Sequence, residues 1–226
     1  MVRRIVFLVA MMLMVQTTIA QDEPKAGFRS LGLNIGWYNP SLDYWVDESE
    51  FKDADFSGAI NFEAMAEFIL NYNLSGRFNL GVWQTSLEED LQGFGLTTWT
   101  LTGLPASADL IYHIKKLRFF GIVPYAGVGG EFVFLQQKMR FEDKENPDPV
   151  SGSTALLKGI AGLKYALSDH WAMDLEFNYK IGTYNQDFIT YEINPDDPED
   201  PVKNEVTEEI SLNGPKIGIT LRYLFR

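Results

Sequence analysis

Six carboxylates and six cations stand at alternate positions within otherwise apolar segments of this chain. The acids are Glu63, Glu67, Asp109, Glu131, Asp174 and Glu176; the bases are Arg77, Lys158, Lys164, Lys180, Lys216 and Arg222. Such side chains do acid–base chemistry when two carboxylates are held in different protonation states. They form an ion lattice when each meets an opposite charge. Equal numbers favour the lattice, because a buried charge must be paired to escape a large desolvation cost. Nucleophilic chemistry has less to draw on. The chain has no cysteine and two histidines, His113 and His170, each beside a short connection and away from the long polar loops. No disulfide framework, thiolate metal site or thiol nucleophile is available. Glu63 and Glu67 are conceivable as an acid and a base, but pairing explains them more simply, so an enzyme is not expected. The acidic runs Asp43, Asp47, Glu48, Glu50 and Asp196, Asp197, Glu199, Asp200 offer oxygen ligands for Ca²⁺ or Mg²⁺. They lack EF-hand spacing, so a solvated anionic surface is the simpler reading and neither metal nor cofactor is expected.

The element that must position these charges is the two-faced strand. Along Lys216 to Arg226, Ile217, Ile219, Leu221, Tyr223 and Phe225 fall on one face, and Lys216, Gly218, Thr220 and Arg222 on the other. Ile60, Phe62, Ala64, Ala66, Phe68 and Leu70 likewise oppose Asn61, Glu63, Met65, Glu67 and Asn71. From Trp171 to Ile181 the odd positions are apolar, while the even ones are Ala172, Asp174, Glu176, Asn178 and Lys180. Facing hydrocarbon near the midplane, each charge would cost about 2–4 kcal/mol, so the charged faces are expected to line the lumen of a barrel.

The start of the chain points the same way. Arg3 and Arg4 precede an apolar run from Ile5 to Val15, and Thr18-Ile19-Ala20 ends on a small residue. This is the pattern of a signal peptide, residues 1–20, removed after Ala20, with a single domain over residues 21–226. Beyond it, the longest apolar stretch, Gly121 to Leu135, is broken by Pro124, several glycines and Glu131. It cannot serve as a spanning helix of about 20 apolar residues. An exported chain of this kind is either free in solution or a β-barrel, since only helices and closed barrels satisfy the whole backbone in lipid. Aromatic residues at 14% and 19 glycines suit curved, lipid-facing strands. A formal net charge of -12 argues against nucleic acid as a partner.

Eight alternating segments emerge: about 28–37, 58–72, 74–84, 96–114, 120–137, 155–166, 170–183 and 215–225. Short connections follow the second, fourth and sixth. Long ones follow the others, at about 38–56, 85–94, 138–153 and 183–213. The long stretches hold, in order, six acids against Lys52, three acids, four acids against three bases, and nine acids against Lys203. Loop four carries Pro195, Pro198 and Pro201 and is expected to be a mobile surface for adhesion or phage contact. The fold class that follows is all-β: an eight-stranded antiparallel transmembrane β-barrel with short periplasmic turns and long acidic extracellular loops. Trp37, Trp83, Tyr72, Tyr112, Trp171, Tyr223 and Phe225, near strand ends, are candidates for interfacial aromatic girdles. In the fourth segment Trp99 and Leu101 have one parity, and Leu104, Ala106, Ala108, Leu110 and Tyr112 the other. The alternation is expected to slip at Gly103-Leu104-Pro105 through a bulge that leaves backbone groups unpaired in the wall; a curvature device is the simpler reading, and a weak point through which a ligand leaves sideways into lipid the sharper one.

Gly103 to His113 (Gly-Leu-Pro-Ala-Ser-Ala-Asp-Leu-Ile-Tyr-His), Val123 to Gly130 (Val-Pro-Tyr-Ala-Gly-Val-Gly-Gly), Tyr165 to Trp171 and the closing strand resemble the OmpW-like group of small outer-membrane barrels. The likeness covers most of the second half; the first half matches only in strand rhythm. It departs at Arg226, since such barrels usually end on an aromatic residue. The resemblance implies a monomeric barrel that passes small hydrophobic molecules from outside toward a lateral exit. An eight-stranded lumen holds little beyond its own side chains or one small ligand, which argues against a general water-filled porin. A conduit would use the outer half of the lumen, with Trp83, Met65, Val133 and Leu135, and the weak point at Leu104. The alternative is a non-conducting structural or adhesion barrel. Expected partners are outer-membrane lipid and lipopolysaccharide, a small hydrophobic ligand, and the barrel-insertion machinery acting on the last strand.

Overall fold

A computed structural model of the protein describes residues 26–43, 58–91, 95–142, 147–192 and 202–225. Ten strands follow in chain order: β1 (Gly27–Tyr38), β2 (Ala59–Ile69), β3 (Leu74–Leu91), β4 (Gly95–His113), β5 (Ile122–Phe141), β6 (Val150–Ala166), β7 (Trp171–Ile181), β8 (Thr183–Glu192), β9 (Val202–Ser211) and β10 (Gly214–Leu224). Eight of them close into an antiparallel barrel in the order β1-β10-β7-β6-β5-β4-β3-β2. The seam runs without a break from Ser30 opposite Leu224 to Tyr38 opposite Lys216. Tight turns join β2 to β3 and β6 to β7, and one 3₁₀ turn at Lys115–Leu117 lies between β4 and β5. These connections define a turn end; the opposite rim is the loop end.

The strands form as the period of two dictates. Along β7 the burial alternates strictly from exposed Trp171 to exposed Ile181, with Ala172, Asp174, Glu176, Asn178 and Lys180 buried between them. In β2 the apolar face turns outward, as at Ile60 and Phe62, while Asn61, Glu63, Met65 and Glu67 are buried. One bulge shifts the β1–β2 register between Phe28 and Ser30, which turns Phe28 outward and Ser30 inward.

Three expectations are corrected. The expected slip in the fourth segment does not occur, because odd positions of β4 face inward from Thr97 to His113 and the β4–β5 register is unbroken. What changes is the chemistry of the lumen: near the loop end the inward residues are apolar (Trp99, Leu101), with Thr98, Thr100 and Thr102 on the other face. Second, β3, β5 and β6 run past the apolar segments, to Leu91, to Phe141 and from Val150, so the stretch read as a loop at 85–94 is mostly strand. Above the membrane neither face needs to be apolar, so the alternation fades while the hydrogen-bond ladder continues. Third, loop four contains a hairpin. β8 and β9 pair from Thr183 opposite Ser211 to Glu192 opposite Val202; Pro195, Pro198 and Pro201 lie outside the described residues. The hairpin bends from β7 at Gly182, whose φ of 154° suits glycine and where a Cβ would strike Leu156. The bend brings Tyr184, Ile210 and Leu212 into the loop-end core.

Candidate functional site in the barrel lumen

The lumen has two halves of opposite chemistry. Toward the turns, each of the twelve charges anticipated from alternation is buried and has an opposite charge within 4 Å. Arg77 reaches Asp109 at 3.1 Å and Glu176 at 2.5 Å; Lys158 reaches Asp109 at 2.9 Å and Glu131 at 3.8 Å. Lys180 binds Glu131 at 2.5 Å and Lys216 binds Glu63 at 2.6 Å. Arg222 bridges Glu67 and Asp174, and Lys164 adds a contact to Glu67 at 3.1 Å. Glu67, 1% exposed, is the hub, because it also accepts the Ser75 hydroxyl at 2.8 Å and meets His113 Nε2 at 3.1 Å.

Sequence reasoning missed the neutral members of this lattice. Tyr125 donates its hydroxyl to Glu176 at 2.9 Å, and Asn79 donates to Asp109 at 2.8 Å. Ser75 and His113, 2.9 Å apart, complete a serine, histidine and carboxylate cluster with Glu67. Its geometry does not suit nucleophilic catalysis, since one ring nitrogen of His113 faces both Ser75 and Glu67 instead of relaying between them. Inward parity at Ser75, His113 and Tyr125 was the available signal.

Toward the loops the lumen is filled by an apolar cluster that includes Tyr38, Trp83, Trp99, Leu101, Val133 and Leu135. Three of the five residues expected to line an apolar path meet here. Trp83, Val133 and Leu135 are at most 4% exposed. The other two do not. Met65 is buried among the charged layers, between Glu63 and Glu67 and paired with Asn79. Leu104 is 51% exposed and faces outward, because it has the even parity of β4. Trp83 likewise leaves the girdle; its ring packs edge-on against Tyr38 at 5.4 Å inside the barrel. Trp37, Tyr72, Tyr112, Trp171, Tyr223 and Phe225 do face outward.

Beside this cluster the wall is incomplete. The β3–β4 ladder pairs Leu80 with Ala106 and Trp83 with Gly103, but skips Gly81 and Val82 opposite Pro105 and Leu104. The β4–β5 ladder stays whole through Pro105, so the N–H that proline lacks is missing on the β3 side. Trp83 covers the place from within: a Cβ on Gly103 would collide with the Cε2, Cζ2 and Nε1 atoms of its indole. Only glycine lets the ring lie there. On the outer surface a groove of about 470 Å³, lined by Ile60, Phe62, Val82 and Gln84 among others, runs along β2 and β3 and touches Trp83.

An alternating wall with an apolar outside and a charged inside is the arrangement that lipid demands of a closed barrel. The sequence matches the outer membrane protein beta-barrel domain over residues 5–206. The chain belongs to that family. Among solved structures this outer-membrane barrel is similar to the outer membrane protein OprG from Pseudomonas aeruginosa (TM-score 0.58, 14% identity, covering 89% of this chain and 97% of that one). It is also similar to a major outer membrane protein from Thermus thermophilus (TM-score 0.56, 12% identity, 89% and 100% covered). At these identities the likeness is one of fold. No curated protein sequence matches the chain. The outward residues of the outer-membrane barrel, Leu33, Ile35, Phe78, Leu80, Leu157 and Leu175 among them, are the surface that meets hydrocarbon. No group of three or more His, Asp or Glu among its described residues is arranged to hold a metal ion. Asp43, from one acidic run, instead accepts the backbone N–H of Ser211 at 2.8 Å, while Asp47, Glu48, Glu50 and Asp196 to Asp200 lie outside the described residues.

Proposed function

We propose that this outer-membrane barrel is a narrow, OmpW-like conduit without enzymatic activity, which admits small apolar molecules at the loop end and releases them sideways into lipid between β3 and β4. The observation that carries the reading is the skipped ladder at Gly81 and Val82, opposite Leu104 and Pro105, beside the apolar half of the lumen and covered by Trp83. A straight path to the turn end would have to part Arg77, Lys158, Lys180 and Arg222 from their carboxylates, each a buried pair that is costly to break. A sideways exit needs the indole to move and the two strands to part where Pro105 cannot donate to the ladder.

The test is uptake of an apolar fluorescent dye, N-phenylnaphthylamine, by lipopolysaccharide-containing vesicles carrying the protein. Wild-type protein is expected to speed uptake over empty vesicles, and Trp83→Ala to speed it further. The double variant Val82→Cys/Leu104→Cys, once oxidised, is expected to slow uptake to the empty-vesicle rate, with recovery on reduction. A wild-type rate equal to that of empty vesicles, or insensitivity to both changes, overturns the conduit. It would favour the second reading, a non-conducting structural or adhesion barrel, which the dense packing of both lumen halves supports.

Three proposals about cellular handling accompany this reading. Residues 1–20 are removed as a signal peptide, checked by N-terminal sequencing of the mature protein from Gln21. The insertion machinery recognises β10, and the loop end contacts lipopolysaccharide.

A further inference from the structure

We infer that the molecule taken through this barrel carries one neutral hydrogen-bonding group, an alcohol or carbonyl head on an apolar body, and that Asn61 is the residue that reads it. The inference rests on the conduit reading above and narrows its substrate class. Asn61 is fully buried and points into the lumen, where neither its Nδ2 nor its Oδ1 has a hydrogen-bond partner among the described residues. The other lumen asparagines do not share this state: Asn34 donates to Thr220, Asn79 to Ser107 and Asp109, and Asn178 to Glu176. A buried polar group without a partner is uncommon and asks for an explanation.

Its position supplies one. Asn61 pairs across the β2–β3 ladder with Trp83, whose indole N–H is also without a hydrogen-bond partner among the described residues. It therefore lies where the apolar cluster meets the charged half, one residue along β3 from the skipped ladder. Its outward neighbours Ile60 and Phe62 line the external groove. Asn61 thus stands one strand from the gap, across Trp83, within reach of a molecule held beside that indole. An alcohol can both donate to Oδ1 and accept from Nδ2, and a carbonyl can accept from Nδ2 or from the indole. A hydrocarbon leaves all three unmatched, and a site built around a hydrogen bond discriminates strongly against the analogue that lacks it.

The charge arrangement excludes ionised heads. Each of the six lumen carboxylates and six lumen cations already has an opposite partner, so a carboxylate or ammonium ligand would be stripped of water and gain no counter-ion. The head is neutral.

The experiment uses the full protein in the same vesicles, with 1-nonanol, nonane and nonanoate as competitors of dye uptake. Wild-type protein is expected to respond to nonanol at a concentration at least tenfold below that for nonane, with nonanoate ineffective. In nanodiscs labelled with ¹⁵N-asparagine, nonanol is expected to shift the Asn61 side-chain NH₂ resonance, identified by its loss in Asn61→Leu, and nonane to leave it in place. Asn61→Leu, and the smaller Asn61→Ala in case leucine disturbs packing, should bring nonanol and nonane within twofold of each other. Equal competition by nonanol and nonane in wild type, or an undiminished preference in both variants, overturns the inference while leaving intact a conduit that responds to oxidation of the Val82→Cys/Leu104→Cys variant. Failure of the wild type to take up the dye at all removes both.

Discussion

Glu67 and Trp83 lie a few strand positions apart in the same lumen and are held in opposite ways. Glu67 divides its carboxylate among Arg222, Lys164, His113 and two serine hydroxyls, so its neighbours depend on it one by one. Trp83 packs its ring against Tyr38 and over Gly103, and its indole N–H has no hydrogen-bond partner among the described residues. The first arrangement tolerates almost no displacement, because moving a partner leaves a buried charge uncompensated. The second loses dispersion contacts gradually and can be repacked. The difference teaches where a barrel of this size can be stiff and where it can yield: the charged half is a fixed floor, and the apolar half is the part able to open.

This contrast sets a scale of effects. The largest is expected for Glu67→Leu, which strands Lys164 and leaves Arg222 with Asp174 alone: a loss of about 3–5 kcal/mol, or failure to fold, read from heat-modifiable gel mobility and the urea midpoint. Next is Leu104→Lys, which puts a charge on the lipid face beside the wall gap. A loss of about 2–4 kcal/mol is expected in bilayers, and an unchanged midpoint would contradict the outward placement of Leu104. Smaller and of opposite sign, Asn61→Leu removes an unmatched amide from a buried site and should raise stability by about 1–3 kcal/mol, measured the same way. Smallest is the double change Glu63→Leu/Lys216→Met, which turns one charged layer into an apolar one without leaving an orphan. It should fall within about 1 kcal/mol of wild type or be slightly stabilising, whereas Lys216→Met alone is clearly destabilising. A double variant as damaged as the single one would break the distinction drawn between the two halves.

The barrel and the membership of its ion lattice are legible in the sequence because both follow from parity. Once a strand's outward side is known from Ile217, Ile219 and Leu221, the inward side of Lys216, Thr220 and Arg222 is fixed as well. Parity says nothing about which half of the lumen a residue occupies, and that is why alternation alone sets Met65 beside Trp83 although it lies among carboxylates. It also misleads where both faces are moderately apolar: Trp99 and Leu101 inside, against Leu104 and Leu110 outside, look like a slipped strand, although the register never changes. The β8–β9 hairpin is unreadable for a related reason. Gln186, Asp187, Glu208 and Glu209 stand in its rungs, and the apolar pair Tyr184 and Ile210 at its base is too short a signal to announce a strand. Of the candidate site, Pro105 announces the weak ladder, but which neighbour loses the bond depends on strand order. The solitude of Asn61 depends on every side chain around it.

The seam between β1 and β10 has one more consequence. Residues near position 30 are paired with residues near position 224, so the first strand of the barrel has no partner on that side until the last strand arrives. Closure therefore waits for the whole chain, and until then two open sheet edges must be kept from pairing with anything else. A chain cut short by even one strand would not be a slightly smaller barrel but an open sheet prone to aggregate.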